Sequence, residues 1–153
     1  MSRNDRWDVD RLTADTWGSV PMAEHTRIRV VEAEAGRVVL TMPLEGNGNH
    51  IGTMYAGALF TLAEIPGGTL FLTTFDPARY YPVVKGMTIQ FRRFAVSDIT
   101  VEARLAAHEV EAITTLADAD GKADYTLNLE LRDVDGEVVA TSSNQYQMRA
   151  HGR

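Results

Sequence analysis

Glu64 is the only charged side chain in the most apolar stretch of this 153-residue chain, residues 54–75. Burying a carboxylate among apolar neighbours is expensive unless it is paired or hydrogen-bonded. Two readings follow. Either Glu64 sits at an edge and reaches water or a backbone amide, or it is a general base or nucleophile whose pKa is raised by its surroundings. Upstream, Gly52-Thr53-Met54-Tyr55-Ala56-Gly57 places small residues at the entrance of the same segment. Free backbone N–H groups at a helix entrance, backed by the helix dipole, can hold a developing oxyanion. The plainer reading is a helix that starts after a turn, with Gly57 for close packing. Asn49 is the third group of interest. It is either a turn former or a donor to a substrate carbonyl or a water.

Ala56 and Glu64 are eight positions apart. In a helix that is about 12 Å along the axis. One small carbonyl cannot touch both within one chain. Two such helices, packed antiparallel across a two-fold axis, would bring the entrance of one beside Glu64 of the other, and an isologous dimer does this twice.

The elements that must position these groups can be read from periodicity. Glu45-Gly46-Asn47-Gly48-Asn49-His50-Ile51-Gly52 is a loop whose Gly and Asn content predicts unusual backbone angles. Met54, Ala58, Leu59, Leu62 and Ala63 then recur at helical spacing, with Ile65 and Leu70 beyond. Nearly every face of that helix is apolar or small, which predicts burial at the centre of the fold. Pro66 cannot donate to Leu62, so a kink or break is expected there.

Ahead of the loop, residues 9–17 read as a short helix capped by Asp8 or Asp10. Residues 27–33 and 37–42 read as strands joined at Glu34-Ala35-Gly36. After the central helix come strands over 83–91 and 99–107, with a bulge or bend at Arg92-Arg93-Phe94-Ala95. Arg79-Tyr80-Tyr81-Pro82 reads as a loop. A short amphipathic helix over 108–116 precedes the Asp118-Ala119-Asp120-Gly121 turn. Residues 123–132 alternate strictly, as a strand with one wet face does. A turn at Asp133-Val134-Asp135-Gly136 leads to a last strand over 138–149. Residues 1–8 form a loose tail and 9–153 a single domain. The predicted class is α+β, an antiparallel sheet wrapped around one helix.

Composition narrows the function. Fifteen basic against 21 acidic side chains give a net charge of −6, with 44% apolar and 24% charged residues. These are ordinary values for one soluble domain, and the acidic balance argues against a nucleic-acid surface. No cysteine is present, which excludes disulfides and thiolate chemistry. The opening MSRNDRWDVD has no apolar core of a secretory signal, and Glu64 with Pro66-Gly67-Gly68 interrupts the one apolar stretch, so no membrane span and a cytoplasmic location are expected. His25, His50, His108 and His151 are scattered, which predicts no metal site.

The run Asn49-His50-Ile51-Gly52-Thr53-Met54-Tyr55-Ala56-Gly57-Ala58-Leu59-Phe60-Thr61-Leu62-Ala63-Glu64 resembles the loop-and-helix signature of the hotdog-fold acyl-CoA thioesterases, of the phenylacetate-pathway type and its uncharacterised relatives. In that signature an Asn and a Gly precede a Gly-Gly pair, and an acidic residue closes a Leu-Ala-acid triplet. Ile89-Gln90-Phe91-Arg92-Arg93-Phe94-Ala95 is similar to the family's strand ending in Phe, then Arg-Pro-Ala. The hairpin Asp135-Gly136-Glu137-Val138-Val139-Ala140 is also of the family's type. The likeness runs over about residues 10–150.

What the resemblance implies is specific. The fold would be a hotdog, and the protein a homodimer or homotetramer that hydrolyses acyl-CoA. Coenzyme A would be part of the substrate, with no metal or other cofactor. Glu64 would be the catalytic carboxylate, polarising a water or attacking the thioester. The Ala56 N–H would be the oxyanion donor, and Asn49 would orient the water or the thioester. Gly57 would admit the acyl chain, with His50 and Tyr55 beside the substrate. Acid and oxyanion donor come from different subunits in the family, in agreement with the 12 Å separation above. Lys85, Arg92 and Arg93 are candidates for the coenzyme A phosphates, and Phe60, Phe71 and Phe75 for setting pocket depth. The chain reads Tyr55-Ala56-Gly57 where the family has His-Gly-Gly, Glu64 where many members have Asp, and Val84 where related enzymes place Ser or Thr. Two alternatives stand beside hydrolysis. One is an enoyl-thioester hydratase or dehydratase, for which His50 is the only nearby histidine. The other is an acyl-CoA-binding or sensing protein without turnover. Neither nucleic acid nor membrane is an expected partner.

Overall fold

The computed structural model describes residues 7–152. Asp8 accepts the N–H groups of Asp10 and Arg11 at 3.1 Å each and caps α1 (Val9–Ser19). Residues 1–6 of the expected tail lie outside the described residues. A five-residue helix, α2 (Pro21–His25), follows; it was not legible in the sequence, being too short to show a period. β1 (Arg29–Glu34) and β2 (Arg37–Met42) form a hairpin that turns at Gly36, where φ is 80°. A Cβ at Gly36 would lie 2.7 Å from the Leu105 carbonyl oxygen. Both the left-handed backbone and the crowding demand glycine, so Gly36→Ala should destabilise the fold by at least about 1 kcal/mol. A lowered urea midpoint at unchanged slope is the expected record; an unchanged midpoint would contradict it.

The chain continues through α3 (Ala56–Thr74), β3 (Tyr80–Phe91), β4 (Ile99–Arg104), α4 (Ala107–Asp120), β5 (Lys122–Arg132) and β6 (Val138–Ala150). The six strands form one antiparallel sheet in the order β1-β2-β4-β5-β6-β3, and α3 packs on all six. This is the expected α+β hotdog architecture. Leu40, Met42, Ile99, Val101 and Leu131 from the sheet close on Leu59, Leu62, Ala63 and Leu70 of the helix, in one apolar core. β5 alternates as the sequence predicts: Ala123, Leu127, Leu129 and Leu131 are buried, while Asp124, Asn128 and Glu130 are exposed.

Four expectations need correction. The break at Pro66 is absent, and α3 runs helical from Ala56 to Thr74. By length and composition alone that uninterrupted helix could cross a membrane; here most of it is wrapped by the sheet. Nor is α3 buried on every face. Gly57, Phe60, Thr61, Glu64, Gly68 and Leu72, at three- and four-residue spacing, are half-buried or exposed along one strip. Residues 80–82 belong to β3 rather than a loop, with Tyr80 buried and its hydroxyl donating to Asp118. Finally, α4 reaches Asp120 before Gly121, at φ 77°, ends it.

Candidate active site

The loop before α3 is built by two asparagines with different tasks. Asn47 is buried. Its side-chain amide donates to the carbonyls of Thr26 and Pro43 at 2.8 Å each, and its backbone carbonyl accepts the Tyr55 N–H at 2.8 Å. Asn49, half-buried, folds the loop on itself. Its Oδ1 accepts the N–H groups of Ile51 and Thr53 at 3.1 Å, and its Nδ2 donates to the Thr53 hydroxyl at 2.9 Å. One hydrogen of the Asn49 amide remains for another acceptor. Sequence reasoning singled out Asn49 and passed over Asn47, because neighbouring asparagines look alike until tertiary contacts choose the anchor.

Held this way, the chain enters α3 with Tyr55 extended (φ −61°, ψ 138°) and no side-chain cap. The Tyr55 carbonyl accepts the N–H groups of Ala58 and Leu59 at 3.0 and 3.1 Å. The N–H groups of Ala56 and Gly57 donate to no protein group among the described residues. Ala56 is exposed and Gly57 half-buried, so two amide donors stand open at the positive end of a 19-residue helix. The space that Gly57 leaves is taken by the Tyr55 ring, since a Cβ there would lie 2.5 Å from Cε1. Gly57 therefore first serves to seat that aromatic ring. Tyr55 itself is 59% exposed.

Two turns further along the same strip lies Glu64. It is half-buried, and its carboxylate has no hydrogen-bond or ion-pair partner among the described residues. Burial pushes its pKa above the ordinary carboxylate value. A desolvated, unpaired carboxylate of this kind can accept a proton from water or attack an electrophilic carbonyl.

The remaining residues are dispersed. His50 is exposed in the loop. Lys85 is exposed on β3, at a break in the β3–β6 register, and pairs with Asp124 at 3.1 Å. Arg93 lies 3.8 Å from Glu137. Arg92 carries no ion pair among the described residues, and lines a groove of about 840 Å³ on the outer sheet face with Arg37, Arg104 and Arg132, which pair there with Glu32, Glu102 and Glu130. Its neighbour in the loop, Ala95, accepts the Met54 N–H at 2.8 Å, which ties residues 92–95 to the entrance of α3. Phe71 and Phe75 meet in the core with ring centroids 5.6 Å apart and planes tilted by 30°, whereas Phe60 is 42% exposed on the open strip. Val84 is exposed on β3.

Comparison with known proteins gives a consistent picture. The model of a family described as a domain of unknown function (DUF4442) matches residues 15–148. A crystal structure of a protein of unknown function from Pseudomonas aeruginosa, described as a probable thioesterase, is 52% identical. The match covers 93% of this chain and 95% of that one, with a TM-score of 0.89. A second P. aeruginosa protein, a thioesterase solved as a mutant, matches at 18% identity over 94% and 95% of the two chains, with a TM-score of 0.74. A thioesterase from Haemophilus influenzae matches at 14% over the full length of both, with a TM-score of 0.75. At the two lower identities the likeness shows a shared fold. No curated protein matches the chain.

Proposed function

The chain belongs to the DUF4442 family and has the hotdog fold, and from that premise we propose that it is a thioesterase that hydrolyses acyl-CoA at a site shared by two subunits. The observation that carries this reading is the pairing on one open strip of α3: an unpartnered, desolvated carboxylate at Glu64 and unpartnered amide donors at Ala56 and Gly57. The 52% identical structure described as a probable thioesterase supports it.

Glu64 takes a proton from a water, and the resulting hydroxide adds to the thioester carbonyl. The Ala56 N–H of the second subunit receives the charge that develops on oxygen, where a preorganised donor is most effective. Collapse of the tetrahedral intermediate breaks the C–S bond. The thiolate leaves as free thiol with a proton from Glu64, and the acid product departs. Asn49 holds the loop that delivers Ala56, and its remaining amide hydrogen is available to the water or the carbonyl. Arg92, which has no carboxylate partner among the described residues, is the best placed of Lys85, Arg92 and Arg93 to meet a phosphate of coenzyme A.

Two features support a second copy. β3 is a 12-residue edge strand that among the described residues pairs only with β6, and a long free edge invites another strand. The uncovered strip of α3 exposes Phe60 and Leu72 beside Glu64. A two-fold partner covering both would bring the entrance of each α3 to Glu64 of the other. The test is free-thiol release from a panel of acyl-CoA thioesters, run with sedimentation of the active species. Turnover by a dimer or larger assembly is expected. Tight acyl-CoA binding without thiol release, or hydration of an enoyl-CoA without thiol release, would overturn the reading.

A further inference from the structure

We propose that Asn144 and Tyr146 of β6 are positioning residues for Glu64, gripping the proline turn of α3 and so fixing where its carboxylate stands. The inference rests on the thioesterase reading above. Pro66 has no N–H, so the Leu62 carbonyl loses its helical donor and the turn around residues 62–67 loses a tie. The two following carbonyls on that turn receive side-chain donors from the sheet in addition. Asn144 Nδ2 donates to the Ala63 carbonyl at 2.8 Å, and the Tyr146 hydroxyl donates to the Glu64 carbonyl at 3.3 Å. Asn144 Nδ2 also donates to the Tyr146 hydroxyl at 3.2 Å, which joins the two grips into one network.

Packing makes the grip rigid. The Tyr146 ring lies so close to α3 that a Cβ at Gly67 would fall 2.2 Å from its hydroxyl oxygen and 2.3 Å from Cζ. Behind it the ring stacks on Tyr125, with centroids 5.4 Å apart and planes 18° apart. Asn144 and Tyr146 are buried at 0% and 1% exposure.

The arrangement carries a cost that stability alone does not explain. Asn144 Oδ1 is buried with no partner, and so is the Ser142 hydroxyl two residues before it on the strand. Orphaned buried acceptors destabilise a fold. An apolar side chain at 144 would avoid that orphan but could not donate to the Ala63 carbonyl. Glu64 is the one charged group on the turn held at this cost.

The experiment is a double-mutant cycle between Tyr146→Phe and Glu64→Gln, read by single-turnover thiol release. Tyr146→Phe keeps the ring, its stack and its contact with Gly67, and removes only the hydroxyl. Expected is a fall in kcat of about tenfold or more with KM within about twofold, because misplacing a reacting group costs rate rather than binding. In the Glu64→Gln background the same change should cost nothing further. Asn144→Leu, read in the same cycle, serves as the second variant and should behave alike. A Tyr146→Phe protein with wild-type kcat, beside a crippled Glu64→Gln protein, would overturn the inference and leave the thioesterase reading intact. An equal loss in both backgrounds would overturn it too, since the hydroxyl would then act independently of Glu64. A fully active Glu64→Gln protein would overturn both.

Discussion

Replacing Glu64 by Gln is expected to lower kcat for thioester hydrolysis by about two to four orders of magnitude, the usual contribution of a general base or nucleophile. The amide keeps the size of the side chain and removes only its ability to take a proton or attack. The same change should leave the fold as stable as before at neutral pH, or more so. The sign follows from linkage. Burial raises the folded-state pKa of Glu64 above its ordinary value of 4.5. The stability it contributes is therefore full below that value and is lost as pH rises through the higher folded value. At neutral pH the ionised, unpaired carboxylate works against the fold, and Gln relieves it. Thiol release and urea denaturation at neutral pH should thus move in opposite directions, or activity should move alone. The raised pKa has a kinetic counterpart. The acid limb of the rate profile should lie above the range of an ordinary carboxylate, with activity present on its alkaline side. A variant that lost activity only in proportion to lost folded protein would contradict a chemical role for Glu64.

The second large effect is expected from Ala56→Pro, which deletes one backbone N–H and little else. Proline is favoured at the first position of a helix, where the N–H has no helical partner. Tyr55, before it, already has the extended conformation that a following proline requires. No protein acceptor is lost, since the Ala56 N–H has none among the described residues. If that N–H holds the oxyanion, kcat should fall by about two to three orders of magnitude, while the thermal midpoint stays near that of the parent. Undiminished turnover in a well-folded Ala56→Pro protein would remove Ala56 from the mechanism.

Much of this was legible in the sequence where the local pattern and the tertiary demand agree. β5 alternates because one of its faces is wet, and β2 covers residues 37–42 as read from the sequence. Glu64 stood out because a charge in an apolar run has few inexpensive explanations. What could not be read is what depends on residues far along the chain. The carbonyls of Ala63 and Glu64 beside Pro66 take donors from Asn144 and Tyr146, some 80 positions away, whose sequence context says only that they lie on a strand. The choice of Asn47 over Asn49 as the buried anchor depends on where the Thr26 and Pro43 carbonyls come to rest. Gly57 read as room for a substrate, but its nearest claimant is the ring of Tyr55, two residues before it. The open strip on α3 was hidden by its own composition. Phe60 and Leu72 look like core residues, and only the fold shows that no element among the described residues covers them.

The claim on which the rest depends is that one subunit's Glu64 works with another subunit's Ala56. Mixing inactive Glu64→Gln and Ala56→Pro proteins, by co-expression or joint refolding, measures this directly. Random pairing makes half of the dimers mixed, and each mixed dimer holds one site with both groups intact. Thiol release should then return to about a quarter of the wild-type value. A mixture no more active than its two components would place both groups in one protomer's site and contradict the account.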